Sequence, residues 1–590
     1  TEKCLLAIWR KVLGWNQIGT DDNFFELGGD SLLAIRSISA IKQELGKRLL
    51  VKDFFDSPTI SSLSQKIDKT DIDLQVLAAT ENAGSPPLSF NQEAMWIIHN
   101  SRGSLQYHLP MVFSINGELD VKSLKAAFKE IVKRHLPLQT IFTATDEGLV
   151  QEQLGSDSWL LQEFITPQTE NEVFRDWPFK SMIAQPFDLS SDYMIRAAIF
   201  QIEPQKHILG IVVHHIAWDG WSTALFKNNL SNLYNLIKNG KPVPKQANAL
   251  AYTDFSLHQR SLLKGDFLNN SLQYWNKKLT GVLPSQLRTD SSRTSEVTSS
   301  GSSQEFIIDK ETHSKLKSLA KKHNATLFMV LLAGFKALLK RHSNQEDICV
   351  GIPMAGREHE GMEDLIGFFV NTLPIRTLVD GNSDFNDLLK NVKNNTLEAL
   401  EHGHVPFGEI VKLSDDFRFS DRNPVFQVLF VMQSNSATEL NFDDLEITPL
   451  KVTKQTSEFE LILEVKESEE LLTGQFEFQT AIFNPSTIAL ISDHYIELLK
   501  SITIDSQDSI DGINLLNEKE KDFVLNKHND FVLPKELSHS TFLSLFEDQV
   551  KLVPNKTAID FNGDSISFTD LDLKSTLLAN HLINIGVKRG

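Results

Sequence analysis

The stretch Ile208-Leu209-Gly210-Ile211-Val212-Val213-His214-His215-Ile216-Ala217-Trp218-Asp219-Gly220 joins a short apolar run to a polar loop. The apolar run is uncharged and rich in β-branched residues, which predicts a buried strand. Beyond the loop, Trp221, Leu225, Leu230, Leu233 and Ile237 mark the apolar side of a helix. A strand that empties into a loop before a helix is a common place for chemistry, because the scaffold is rigid and the loop open.

Three readings fit this loop. His214, His215 and Asp219 could bind a metal, but adjacent histidines rarely converge on one ion and no HExxH-type helical pair is present. Both histidines could be core residues with satisfied hydrogen bonds, the usual fate of a lone histidine. Here the pair stands at fixed spacing from an acid and a glycine. The third reading is acyl transfer, in which a neutral imidazole accepts a proton from an attacking amine near pH 7.

Outward from the loop, the pattern from about 88 to 515 alternates helices with β-branched strands, as an α/β domain does. Ser291 to Ser303 is a Ser/Thr-rich loop within it. Ahead of it, residues 1–67 form a small helical unit. Leu5, Leu6, Ile8, Trp9 and Val12 are spaced as one helix ending at Gly14. Leu32, Leu33, Ile35, Ile38, Ile41 and Leu45 make another, and a further helix starts near Ile60. Residues 68–87, closing on Pro86-Pro87, read as a linker, and 516–538 as a second, charged and irregular one. The chain opens on Thr1 without methionine and stops at Gly590 in mid-pattern, so a segment of a longer polypeptide is expected.

The formal charge of −19, from 58 basic and 77 acidic residues, argues against a nucleic-acid partner, since phosphate binding needs clustered Lys and Arg. The two cysteines, Cys4 and Cys349, are far apart and outside any CxxC pair, which excludes a disulfide framework or a cysteine zinc site. No apolar run approaches the roughly 20 residues that span a bilayer, and no signal peptide is evident. A cytoplasmic protein with no membrane partner and no metal is expected.

In the N-terminal unit, Phe24-Phe25-Glu26-Leu27-Gly28-Gly29-Asp30-Ser31-Leu32 places Ser31 where the second helix begins. There, free backbone N–H groups and the helix dipole favour an attached anion. Asp30 or Ser31 could equally be a plain helix N-cap. With the early Trp9 and with Pro58-Thr59-Ile60 entering the last helix, the unit resembles a peptidyl carrier domain. The resemblance implies that Ser31, flanked by Asp30, carries 4'-phosphopantetheine holding an aminoacyl or peptidyl thioester.

The loop itself resembles the HHxxxDG signature of the condensation domains of non-ribosomal peptide synthetases. Other motifs follow in the family's order: Ser89 to Trp96, Arg134 to Thr140, Tyr252-Thr253-Asp254-Phe255, Gly351-Ile352-Pro353 with Arg357, Ile366 to Arg376, and Asn423 to Val428. Ala94 and Gln139 stand where arginines are usual, which puts local salt bridges in doubt. The resemblance implies two chloramphenicol-acetyltransferase-like lobes in a V, an N-lobe of about 88–260 and a C-lobe of about 261–515. His215 would be the catalytic histidine in a tunnel between them, with His214 flanking it. Asp219 would hold the loop through an ion pair, with Arg376 or Arg134 as its partner, and Gly220 would permit close backbone approach.

The implied reaction transfers the acyl group to the amine of an aminoacyl thioester on a downstream carrier, forming an amide. The further partners implied are an upstream adenylation domain and a phosphopantetheinyl transferase. An epimerisation or ester-forming variant, or a docking scaffold without catalysis, are the alternatives. Residues 539–590 resemble the opening of an adenylation domain, an incomplete α/β unit. Its phosphate-binding loop would lie past Gly590, so no ATP site is expected in this chain.

Overall fold

Four short helices build the N-terminal bundle: α1 (Glu2–Leu13), α2 (Ser31–Leu45), α3 (Val51–Asp56) and α4 (Ile60–Ile67). The computed structural model describes residues 1–29, 31–47, 49–70, 84–146, 148–165, 179–245, 250–293, 300–357, 359, 361–413, 422–433, 439–452, 456–468, 471–527, 541–561 and 563–588. They fall into two units, Thr1–Leu515 and Leu516–Gly590.

The apolar stripe of α1 faces inward, and Gly14 ends the helix at φ 74°, donating its N–H to the Arg10 carbonyl. Trp9, Phe24 and Phe54 are fully buried, with the Phe24 ring centroid 4.9 Å from both of the others. Edge-on aromatic packing of this kind adds to the burial itself. The turn into α2 needs its glycines. Gly28 has φ 95°, and a Cβ on Gly29 would lie 2.3 Å from the Phe24 ring.

The α/β region follows as α5 (Phe90–Arg102), β1 (His108–Asn116), α6 (Val121–Arg134), the hairpin β2 (Thr140–Thr145) and β3 (Gly148–Gln153), β4 (Gln162–Ile165), β5 (Ile195–Glu203) and β6 (Lys206–His214). The second lobe supplies β7 (Gly301–Ile308), β8 (Asp347–Met354), β9 (Asn371–Leu378), β10 (Val428–Gln433), β11 (Glu446–Pro449), β12 (Leu461–Glu467) and β13 (Leu472–Gln479). One sheet has the order β11-β1-β6-β5-β4, the other β7-β13-β12-β10-β8-β9.

The predicted strand is β6, in the middle of the first sheet and buried on both faces. Leu209, Ile211 and Val213 enter the core beneath α6 and the helix Gly220–Lys238, while Ile208 and Val212 enter the core on the other side. The period of two thus sends His214 to the Ile208 face.

Three sequence expectations need adjustment. β11 lies in the stretch assigned to the C-lobe, yet it pairs with β1, so the C-lobe lends the N-lobe an edge strand. The first linker falls largely at 71–83, outside the described residues, but its end is zipped to the fold: Gln151 donates its backbone N–H to the Pro86 carbonyl at 2.8 Å and its side-chain amide to Pro87 at 2.9 Å. In the second, Asn517 caps a short helix, Glu518–Asp522, in place of an irregular chain. Residues 528–540 lie outside the described residues, as do 294–299 of the Ser/Thr-rich loop, whose end already belongs to β7.

The second unit holds the helix Phe542–Leu552, the hairpin β14 (Thr557–Phe561) and β15 (Asp564–Ser567), and the helix Phe568–Asn584. Phe542 and Phe561 are exposed and no residue of either helix is buried. Among the described residues of these helices and this hairpin, secondary structure is present without a buried core.

Lys336, on the helix Leu327–Ser343, is fully buried and donates to the carbonyls of Ile348 and Ile375. Burial pushes its ammonium down from 10.5 to about 7. Between those values the unfolded chain binds more protons than the folded one, so this lysine makes stability rise with pH across that window. The Tm difference between wild type and Lys336→Met is therefore expected to move in favour of wild type from pH 7 to pH 10. A difference constant with pH would show that Lys336 does not titrate there.

Candidate active site

The HHIAWDG loop is pinned at both ends. His214 is the last residue of β6 and completely buried. Its Nδ1 accepts from the Ile216 backbone N–H at 3.1 Å, closing a 3-10 turn over His215–Ala217, and its Nε2 lies 2.9 Å from Ser104 Oγ. Burial, reinforced by nearby His108, His99, His215 and Arg196, holds its pKa well below the usual histidine range. Both ring nitrogens of His214 are thus engaged inside the fold, away from the open side of the loop.

At the far end Asp219 caps the helix Gly220–Lys238, accepting from Ser222 N at 2.9 Å and from Ser222 Oγ at 2.7 Å. The cap is also one half of an ion pair. Arg357 Nη2 meets Asp219 Oδ1 and Oδ2 at 2.9 and 3.0 Å, with both side chains buried. Arg357 lies beyond the end of β8, so the pair ties the loop to the second lobe. Its other terminal nitrogen donates to the carbonyls of Met362 and Leu365, and its guanidinium lies 4.1 Å from the Phe369 ring.

This corrects the expected partners. Arg376 stands on β9 and is bonded to Asp347 at the start of β8, with Nη2 and Oδ2 2.7 Å apart. Arg134 is bonded to Glu130 one turn back in α6 and to the Pro244 carbonyl. Both are bonded away from the loop. Gly220 is also corrected: it is exposed and a Cβ there would meet nothing within 4 Å.

Between these anchors His215 is half-buried, flanked by Phe368 of the second lobe at 4.9 Å and by Tyr107 of the first at 6.5 Å, ring to ring. The segment carrying Phe368 is bonded to the first lobe. Tyr252 Oη donates to the Phe368 carbonyl at 2.8 Å and lies 2.9 Å from Ser89 Oγ, and Asn91 donates to the Val370 carbonyl at 2.9 Å. Gln92 reaches the Ile216 carbonyl inside the loop. Residues from four of the motifs, Ser89 to Gln92, Tyr252, Arg357 and Phe368 to Val370, thus meet around the His215 loop.

The two missing arginines are accommodated locally. Gln139 is buried and donates to the Val132 carbonyl at 3.0 Å, at the C-terminal end of α6. Ala94 faces Gly408, whose added Cβ would lie 3.6 Å away.

Ser31 is the first residue of α2; its side chain and all of Asp30 lie outside the described residues. Five residues along α2, Arg36 lies over the Trp221 ring at 5.3 Å. Trp221 is in the first turn after Asp219, so the structure brings the helix that Ser31 opens beside the His215 loop. Glu26 adds a salt bridge to Lys321 at 3.1 Å. Among the described residues no cluster of His, Cys, Asp and Glu could hold a metal, and no helix is long and apolar enough to cross a membrane.

Sequence reasoning missed Ser104, Ser222 and the assignment of Arg357. Ser222 carries a signal, since an acid three residues ahead of a serine at a helix start is a capping pattern. Arg357 stands in a motif that the sequence displays, but nothing local to that motif points to its partner.

Residues 82–525 match the family described as Condensation domain, and residues 4–67 the Phosphopantetheine attachment site. Malpibaldin synthetase of Mortierella alpina is 32% identical over 599 residues, covering 100% of this chain and 11% of that protein. The dimodular nonribosomal peptide synthase of Bacillus subtilis (strain 168) is 31% identical over 600 residues, covering 99% of this chain and 25% of its own. The chain therefore spans a quarter or less of these relatives. A solved four-domain nonribosomal peptide synthetase bound to AMP and glycine shares the fold, with a TM-score of 0.71 at 19% identity over 88% of this chain and 40% of that one. Motifs, fold and family matches agree: the chain belongs to the condensation-domain family of non-ribosomal peptide synthetases, with a phosphopantetheine-attachment domain ahead of it.

Proposed function

We propose that this chain forms peptide bonds, with His215 as the catalytic residue and Ser31 as the attachment point of the donor. Supporting this is one arrangement above all: His215 stands between Tyr107 and Phe368, walls drawn from both lobes, on a loop whose two ends are fixed by buried bonds. The donor acyl thioester is presented at this junction. The amine of an aminoacyl thioester on a downstream carrier attacks it, the imidazole of His215 takes the ammonium proton, an amide forms and the upstream thiol leaves. Tethering on a short flexible linker gives an effective concentration of roughly millimolar.

Ser31 suits a phosphopantetheine arm. It opens a helix of 15 residues whose first amides and dipole face an attached phosphate, beyond a turn that Gly28 and Gly29 make tight. When bound, the arm supplies the thiol that carries the acyl group. Asp30 flanks the attachment point.

The proposed division is a carrier at 1–67, a linker at 68–87, the condensation domain at 88–515, a linker at 516–538 and the start of an adenylation domain at 539–590. The further partners are an upstream adenylation domain that loads the carrier and a phosphopantetheinyl transferase that primes it. The two free cysteines, Cys4 and Cys349, support a cytoplasmic setting, where thiols stay reduced.

Treatment with a phosphopantetheinyl transferase and coenzyme A is expected to raise the intact mass of wild type by one arm and to leave Ser31→Ala unchanged. The variant should fold normally, since alanine at the first position of α2 is compatible with the helix. A mass gain that survives in Ser31→Ala would remove Ser31 from the reaction.

A further inference from the structure

Behind the catalytic loop, His99, Ser104 and His214 form a line of hydrogen bonds whose sense is set from the Ile216 end. Ile216 donates its N–H to His214 Nδ1 at 3.1 Å, so that nitrogen carries no proton. His214 is buried and neutral, so its proton is on Nε2 and is donated to Ser104 Oγ at 2.9 Å. The single hydroxyl hydrogen of Ser104 is then available to His99 Nδ1, 2.7 Å away. Ser104 is itself buried, held between the end of α5 and the start of β1.

We propose that Ser104 and His99 are positioning residues of the acyl transfer, fixing the tautomer of His214 and through it the turn that carries His215. This rests on the assignment of His215 above. If His214 took the other tautomer, Nδ1–H would face Ile216 N–H, donor against donor, and the His215–Ala217 turn would have to move. Without the Ser104 hydroxyl, Nε2–H loses this acceptor, and the Ile216 N–H alone is left to hold the tautomer. Loss of alignment at a reacting centre is worth about 10²-fold in rate for roughly 1 Å.

The test is imidazole ¹⁵N NMR on the full chain, with His214→Gln assigning the resonance, beside dipeptidyl-thioester turnover. In wild type, His214 is expected to show an unprotonated Nδ1 and a protonated Nε2. Ser104→Ala is expected to lose that single state and about 10²-fold in kcat with KM unchanged, and Ser104→Thr to regain both. A proton on His214 Nδ1 in wild type, or wild-type kcat and spectrum in Ser104→Ala, overturns the proposal. Should Ser104→Ala not fold, His99→Phe decides: it removes the acceptor, and native turnover by it overturns the proposal equally. Normal turnover by Ser104→Ala alone removes the role of Ser104, whereas normal turnover by His215→Ala as well removes the catalytic role of His215 on which the proposal rests.

Discussion

Asp219→Ala is expected to cost about 3–5 kcal/mol of stability and to lose turnover with it. The carboxylate makes four kinds of contact at once: the Arg357 guanidinium, the Ser222 amide, the Ser222 hydroxyl and the Phe369 amide. Its removal leaves a buried arginine without a counter-charge and a helix without its cap, and each of these is costly. Arg357→Ala should be destabilising to a similar degree, because it strands the carboxylate instead. The double variant should lose much less than the sum of the two, since no charge is then left alone. Chemical denaturation of the three proteins, read against wild type, measures this. A wild-type midpoint for Asp219→Ala with turnover abolished would give the carboxylate a direct chemical role.

That pair also shows where sequence reasoning stops. The strand Ile208–Val213, the helix after Gly220 and the order of motifs are legible because each is written in a local period or a contiguous run. The partner of Asp219 is a matter of how two lobes meet, 138 residues apart. Arg376 is an arginine in a fitting motif, but its strand pairing sets it diagonally across from Asp347, and a bidentate carboxylate there satisfies it. Reading β8 and β9 as a hairpin would assign it first to the acid at the start of β8. β11 is illegible for a different reason. Glu446-Ile447-Thr448-Pro449 is four residues long and ends in proline, so its place beside β1 is decided by the packing of Leu440 and Phe442 on the N-lobe core, not by its own pattern.

The largest chemical effect is expected at His215. An amine held next to a thioester is already reactive, so orientation between the lobes supplies part of the acceleration whatever the histidine does. A general base adds about 10²–10⁴-fold, because attack leaves a charged ammonium whose proton must go before the thiol departs. His215→Ala should therefore fold normally, since the ring is half-buried and the loop's anchors are His214 and Asp219. It should accept an acylated carrier and lose at least about two orders of magnitude in dipeptidyl formation. His214→Ala should differ in kind: its loss should come with a lowered Tm, because the Ile216 N–H is left without its acceptor inside the fold. The measurement uses Ser31 loaded with a donor, a separate downstream carrier loaded with an acceptor, and mass detection of the dipeptidyl thioester. If His215→Ala turns over near the wild-type rate, proton removal is done by solvent or by the substrates, and the site works by tethering and alignment alone.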